Sequence, residues 1–447
     1  MNNHDVDVAV LGAGFGGCLT ALILKQIGLQ IVVIDRGSHP RFAIGESSTP
    51  IADFVLRDLS RKYDLPQLKP LTTYGTWQQS YPEITCGIKR GFSYFRHEEG
   101  RPFEPQQDHS NELLVTASSD DEQSDTHWLR SDVDAFFARE VKRAGISLLE
   151  NTEITELEFV EKNIWHLTGR QRGETISIRC RFLIDATGVG GVMSRGLEIP
   201  IQTEGFHTHS RSIFGHFSGV TPWHDTLKSH GGNLADHPFD CDHAAVHHLF
   251  DDGWMWQLRF NNGITSAGFV LDTRNRPLDT AVSPEEEWQE LIATLPALAE
   301  QFCDAELVQP KAGLQRTGRL QRRVTQVTGP DWAMLPHTAG FIDPLHSTGI
   351  AHTLCGIERL VDILEKHWNQ DDLPLQLQRY EEILFSELDL IDQLVGGCYA
   401  AFADFRLFTA ISMLYFAAAT TYEHRRADGG PNFQAAFLCA DDSQFRS

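Results

Sequence analysis

The sequence predicts an α/β fold: a parallel sheet begun at the N-terminus, a second sheet inserted into it, and a helical C-terminal region. Three observations carry this expectation. Residues 8–11 and 31–34 are short apolar runs, joined by a glycine-rich turn and a helix-like stretch over residues 18–27. Residues 210–272 read mostly as strands with loops between them. Residues 372–426 are helical in pattern and apolar on more than one face.

The turn after the first strand reads Gly12-Ala13-Gly14-Phe15-Gly16-Gly17, and the second strand ends in Asp35 followed by Arg36. Gly12 permits the turn, Gly14 lets a pyrophosphate approach the backbone, and Gly17 lets the helix pack closely on the strand. Asp35 is placed to bind a ribose hydroxyl. A fingerprint framed by both strands and the acid points to an adenine dinucleotide rather than to an empty glycine turn. A second loop, Gly45-Glu46-Ser47-Ser48-Thr49-Pro50, follows. Residues 111–126 end in an acidic, serine-rich stretch read as an exposed loop. Residues 132–145 have helical spacing, with Val133, Phe136, Phe137 and Val141 on one face. Residues 152–168 and 175–184 read as strands and close on Asp185-Ala186-Thr187-Gly188. A short strand at 332–335 precedes Gly340-Phe341-Ile342-Asp343-Pro344 and a helix from about 347 to 366. The expected division is a discontinuous dinucleotide domain at 1–90, 127–200 and 310–366. A sheet-based substrate domain takes 91–126 and 201–309, and a helical region takes 367–447.

Composition excludes several classes. The 38 basic and 61 acidic residues leave a formal charge of −23, which argues against nucleic acid or an anionic membrane as partner. The eight cysteines are dispersed without a CxxC pair and read as reduced thiols. Histidines 207, 209, 216, 243, 247, 248 and 352 show no metal-ligand spacing, so no metal is expected. No signal peptide or membrane-length apolar run is evident, residues 407–420 being too short, and the expected location is cytoplasmic.

These residues together resemble the flavin-dependent halogenases and related aromatic monooxygenases. The resemblance rests on the opening fingerprint, Gly45-Glu46-Ser47, Arg130 ahead of a helix, and Asp185-Ala186-Thr187-Gly188. It rests also on Trp254-Met255-Trp256 and on Asp343-Pro344-Leu345-His346-Ser347-Thr348-Gly349-Ile350. It implies a Rossmann-like FAD-binding domain of the glutathione-reductase/p-hydroxybenzoate-hydroxylase type, with O2 as cosubstrate. Gly12, Gly14, Gly17, Asp35 and Arg36 would lie on the ADP half of FAD, with Arg130 near its phosphate or ribose. Glu46 and Ser47 would hold the flavin, Asp185 to Gly188 would line its backbone, and Asp343, Thr348, Gly349 and Ile350 would run past its ring. The amides of Thr348 and Gly349, at a helix start, would hold a halide or other anion; the plainer reading is that Ser347 and Thr348 only cap that helix.

Four positions bear on the reaction. Ile88-Lys89-Arg90-Gly91-Phe92 has the look of the halogenases' lysine segment, although it lies further from Gly45 than expected; Lys89 is either that lysine or a solvated one. Trp254 and Trp256 keep the halogenase indole pair as a wall between flavin and substrate, but Arg259 stands where that family has proline. Arg259 suits a carboxylate or a carbonyl, or it points outward from a strand. Pro336 and His337 replace the usual Gly-Asp that binds the ribityl chain. His346 occupies a glutamate or aromatic position and is a candidate general base, its ordinary pKa being near 6.5.

No second glycine fingerprint is evident, so electrons are expected from a separate flavin reductase. The broken tryptophan motif tilts the reading toward hydroxylation of an electron-rich indole or phenol. A subgroup of halogenase-like flavoproteins that mature tryptophan-derived quinone cofactors is similar over residues 343–354, Pro336-His337-Thr338 and residues 415–420. On that resemblance the hydroxylated aromatic is a tryptophan in a partner protein; otherwise it is a small aromatic, and the sequence leaves the two open. The alternatives are halogenation of a small aromatic, or a flavoprotein reductase or binding partner without oxygen chemistry.

Overall fold

The computed structural model describes residues 2–161, 164–430, 433 and 435–443. Its first sheet runs, in spatial order, Thr328–Gly329, Trp332–Met334, Glu174–Asp185, Asn2–Leu11, Ile31–Ile34 and Ser147–Leu149. Every pairing from Trp332–Met334 to Ser147–Leu149 is parallel. A parallel sheet needs cover on both faces, which is why Val8, Ala9, Val10, Val32 and Val33 are all fully buried. The helices Phe15–Gln26, Arg130–Arg143 and Thr348–His367 pack into this unit, with Phe15–Gln26 touching both of the others. Thr152–Glu161 and Ile164–Gln171 form an antiparallel hairpin beside Glu174–Asp185. The single strand expected at 152–168 is therefore two, and its break at 162–163 lies outside the described residues.

The second sheet is ordered Glu306–Gln309, Ser210–Ser218, Thr265–Asp272, Gly253–Arg259, Ala245–Phe250, Gly91–Arg96 and Glu112–Thr116. Gln315–Arg316, expected in the first unit, pair with Ser210–Ser218 instead. Between the sheets, Cys86–Lys89 pairs antiparallel with Asp125–Trp128 and sets Lys89 directly opposite Asp125. The acidic stretch expected as a loop thus ends in a fully buried strand.

Two long helices, Leu373–Ala400 and Phe405–Gly429, close the chain. Asp404 caps the second by accepting from the amides of Arg406 and Leu407. Phe408, Ser412, Tyr415, Ala418, Ala419 and Tyr422 form its buried face, while Leu407 and Leu414 lie exposed on the other. No helix among the described residues is long and apolar enough to cross a membrane.

Candidate active site and cofactor cavity

The glycine turn does what its spacing demands. Gly12 sits at φ +99°, and a Cβ there would lie 2.5 Å from the Ala186 carbonyl oxygen. A Cβ at Gly17 would lie 2.0 Å from the Gly12 oxygen, so strand and helix meet at backbone distance. This opens a cavity of about 610 Å³ at the ends of the parallel strands. Gly12, Gly14, Asp35, Arg36, Arg130, Gly188, Asp343, Thr348, Gly349 and Ile350 line it.

Each lining group has an identifiable cause. The Asp35 carboxylate accepts from the Ala13 amide at 2.7 Å and the Gly37 amide at 2.8 Å, and pairs with Arg41 at 2.5 Å. Burial works to raise its pKa, but Arg41 and these amides outweigh it and hold the group below the usual range. Arg130 is forked onto Asp134 at 3.0 Å by two bonds and reaches the carbonyls of Ile44 and Gly45. It thereby fastens the Gly45 loop to the cavity wall. The helix Thr348–His367 opens at the cavity with Ser347 at φ +54° and no side chain capping it. A Cβ at Gly349 would meet nothing within 4 Å. The reading of Ser347 and Thr348 as a mere side-chain cap does not hold.

The cavity fits a dinucleotide. Close backbone approach at Gly12 and Gly14, two helix N-termini and a carboxylate at the second strand are the features that group requires. Several lining residues had no local signal in the sequence: Arg41, Phe42, Asp134, Arg195 and His352 arrive from separate elements. His337, in the place of the usual aspartate, faces the cavity with its Nε2 at 3.1 Å from the Ala186 carbonyl. Burial pushes its pKa down to about 4.

Some expected cofactor residues play another part. Asp185 is fully buried and turned onto its own chain, accepting from the amides of Thr187 and Met193 at 2.9 and 2.8 Å. It shapes the Gly188 turn and does not line the cavity. Glu46 lies behind the loop, its carboxylate 2.9 Å from His216 Nε2 on the second sheet. Ser47 bridges to His127, and its buried hydroxyl has no partner among the described residues.

Lys89, His346 and Trp254 come together in a separate buried aromatic cluster between the second sheet and the C-terminal helices. Lys89 is fully buried, its ammonium donating to the Ser48 carbonyl at 2.5 Å and standing 4.1 Å from the Phe92 ring centre. The solvated-loop alternative for this lysine is excluded. Phe92 neighbours Phe416 at 5.2 Å, which edges onto His346 at 6.0 Å. His346 stacks on Tyr415 at 4.3 Å, with Tyr94 Oη 3.3 Å from its Nδ1 and Cys398 Sγ 3.5 Å from its Nε2. Burial pushes the His346 pKa down to about 3, so the ring is too weakly basic to serve well as a proton acceptor at neutral pH.

Trp254 donates to Tyr399 Oη at 3.2 Å, and Tyr399 donates to Asp343 at 2.8 Å. Trp256 packs toward Phe214 at 5.9 Å, and Phe214 stacks at 6.3 Å on Phe42 of the cavity wall. The indole pair therefore stands between the cavity and the aromatic cluster around Lys89. Arg259 takes no part, since it donates to the Val220 carbonyl at 3.1 Å. Away from the site, His109, Glu112 and His237 converge with ligand atoms within 4.8 Å, in a hydrogen-bonded set that no spacing had announced.

Comparison with known proteins now decides the class. The tryptophan halogenase family model matches residues 126–404. The chain belongs to that family. It is 31% identical to the monodechloroaminopyrrolnitrin halogenase PrnC of Pseudomonas fluorescens, over 99% of this chain and 80% of the relative. It is 29% identical to the tetracycline 7-halogenase of Kitasatospora aureofaciens, over 92% of this chain and 73% of that enzyme. The halogenase PltM, solved with phloroglucinol and FAD, superposes with a TM-score of 0.86 at 27% identity, covering 99% of this chain and 89% of its own. The protein is thus a flavin-dependent oxidoreductase of the halogenase family, with FAD as cofactor and O2 as cosubstrate. These findings back halogenation better than hydroxylation, and they give no support to a tryptophan in a partner protein as substrate.

Proposed function

We propose that the protein halogenates a small electron-rich aromatic, of the phenol or pyrrole type, using reduced FAD from a separate flavin reductase. The observation that carries this reading is Lys89: a fully buried amine in an aromatic cluster, hydrogen-bonded to Ser48 of the loop whose Gly45 lines the cavity. Bound and reduced FAD supplies oxygen activation, and with halide yields hypohalous acid. The residues of the chain do the rest. The amides of Thr348 and Gly349 seat the halide at the helix start. Trp254 and Trp256 wall the cavity from the cluster, so that water and arene are kept off the flavin. Lys89 Nζ, with three N–H donors, holds the oxygen of hypohalous acid and leaves the halogen as the electrophile. Phe92, Tyr94, Phe408 and Tyr415 provide flat faces for an arene, and Tyr94 Oη offers a handle for a ring hydroxyl.

The test is turnover of a panel of phenols and pyrroles with FAD, a flavin reductase, NADH and chloride or bromide, read by mass spectrometry. Mono- or dihalogenated product is expected, lost in Lys89→Met with FAD retained. Halide-independent hydroxylated product would overturn the reading.

A further inference from the structure

The buried cation of Lys89 needs a counter-charge, and the structure supplies more than one. Lys89 and Asp125 are directly opposed in the antiparallel ladder, where side chains on one face stand about 5 Å apart at Cβ. Both are almost fully buried. Asp53, in the first turn of the helix Pro50–Lys62, completes the group: Ser48 Oγ donates to its Oδ1 at 2.8 Å, while the Ser48 carbonyl accepts from Lys89. Three ionisable groups from three elements thus meet around one serine.

Two carboxylates this close in a dry site cannot both ionise. Asp125 Oδ2 is buried and meets no donor among the described residues, and Asp53 lies within side-chain hydrogen-bond reach of Asp125, so a carboxylic proton between the two carboxyls is the donor at hand. We propose that Asp53 and Asp125 share one proton and act as positioning residues, presenting a single negative charge that keeps Lys89 protonated and aimed. This role rests on Lys89 being the halogenating lysine.

The directions of titration agree. Burial followed by Asp125 pushes Asp53 well up, and burial also raises Asp125, with Lys89 and Asp53 opposing. Burial draws Lys89 down and the two aspartates hold it up. The other groups facing the set are His127 on the Asp125 strand and His247 on Ala245–Phe250. Burial drives both down to about 3, so they add no charge. Glu423 and Tyr415, from Phe405–Gly429, sense Asp125 from the far side; burial and Asp125 push Glu423 up to about 7.

The pH profile of bromination reads the proposal. Asp125→Asn or Asp53→Asn alone leaves one carboxyl that ionises by itself, whereas the double change Asp53→Asn with Asp125→Asn removes the shared charge without changing side-chain size. In the double variant the alkaline limb of kcat should move to lower pH by about one unit or more, because an opposite charge within 4–6 Å is worth that much. Restoring either aspartate should return the limb toward its original place. Measuring in a Glu423→Gln background keeps that carboxyl from adding a limb of its own. A second readout needs no turnover: in flavin-free protein, Lys89→Met should lower Tm, and Asp125→Asn added to it should raise Tm again. An unmoved limb in the double Asp53→Asn, Asp125→Asn variant, or strictly additive Tm losses, overturns the role. Bromination retained by Lys89→Met removes the lysine from the reaction, and that outcome is distinguishable from an unmoved limb with Lys89→Met inactive.

Discussion

Glu387 offers the sharpest test of how the C-terminal helices are held to the flavin unit. It is fully buried in Leu373–Ala400, and its carboxylate takes Arg359 at 2.6 Å, His352 at 3.0 Å and the Phe437 amide at 2.7 Å. Burial works against the anion, but Arg359 and then His352 overcome it and hold the pKa near 2 instead of the ordinary 4.5. At 1.36 kcal/mol per pH unit, that drop corresponds to about 3 kcal/mol of folding stability. Since the folded value is the lower one, the contribution is present in full above pH 4.5 and is lost as pH falls toward 2. Glu387→Gln should therefore cost about 3 kcal/mol at pH 7, in line with breaking a buried pair and leaving Arg359 without its partner. Urea denaturation of flavin-free protein from pH 7 down to pH 4 measures this. The gap between wild type and variant should stay constant to about pH 4.5 and narrow below it. A gap under 1 kcal/mol at pH 7 would refute the reasoning, as would one already closing at pH 6. Because His352 lines the cavity, the variant should also bind FAD more weakly.

Two further outcomes follow from the same geometry. Gly12→Ala places a methyl group 2.5 Å from the Ala186 oxygen at a positive φ, so the purified variant should lose its flavin absorbance while keeping its helical circular dichroism. His346→Gln should slow halogenation but retain FAD. Its rate profile between pH 5 and 8 should keep the wild-type shape, because a histidine held near 3 has no titration there; a lost acid limb would make His346 a working base after all.

The parts of this molecule legible in its sequence are those whose causes are local. The Gly12–Gly17 turn, the acid at 35 and the helix start at 348 each declare themselves within a few residues, because backbone φ, close packing and exposed amides are short-range demands. Long-range pairing hid the rest. Nothing near Lys89 announces that its strand lies against Asp125–Trp128, so burial and counter-charge together stayed out of view. Between Gly45 and Lys89 the chain folds into the helices Pro50–Lys62, Pro66–Thr72 and Tyr74–Ser80 before it returns to Ser48, a detour no local pattern declared. The fate of His346 was hidden likewise, since its neighbours Tyr94, Cys398 and Tyr415 lie 52 to 252 positions away in three other elements, and they remove the water that would have let it titrate. Arg259 is the opposite case: its departure from the family pattern looked consequential, yet it ends on a loop carbonyl outside the cluster.

The loop at 45–48 has its two ends in different compartments. Gly45 borders the cofactor cavity, and three residues later Ser48 carries the amine that serves the cluster. A span of about 10 Å of backbone is too short to absorb a displacement at one end without passing it to the other. How the flavin is seated and where the lysine points are consequently one variable. Changes made from the loop side will therefore be felt in flavin affinity as well as in the aim of the lysine.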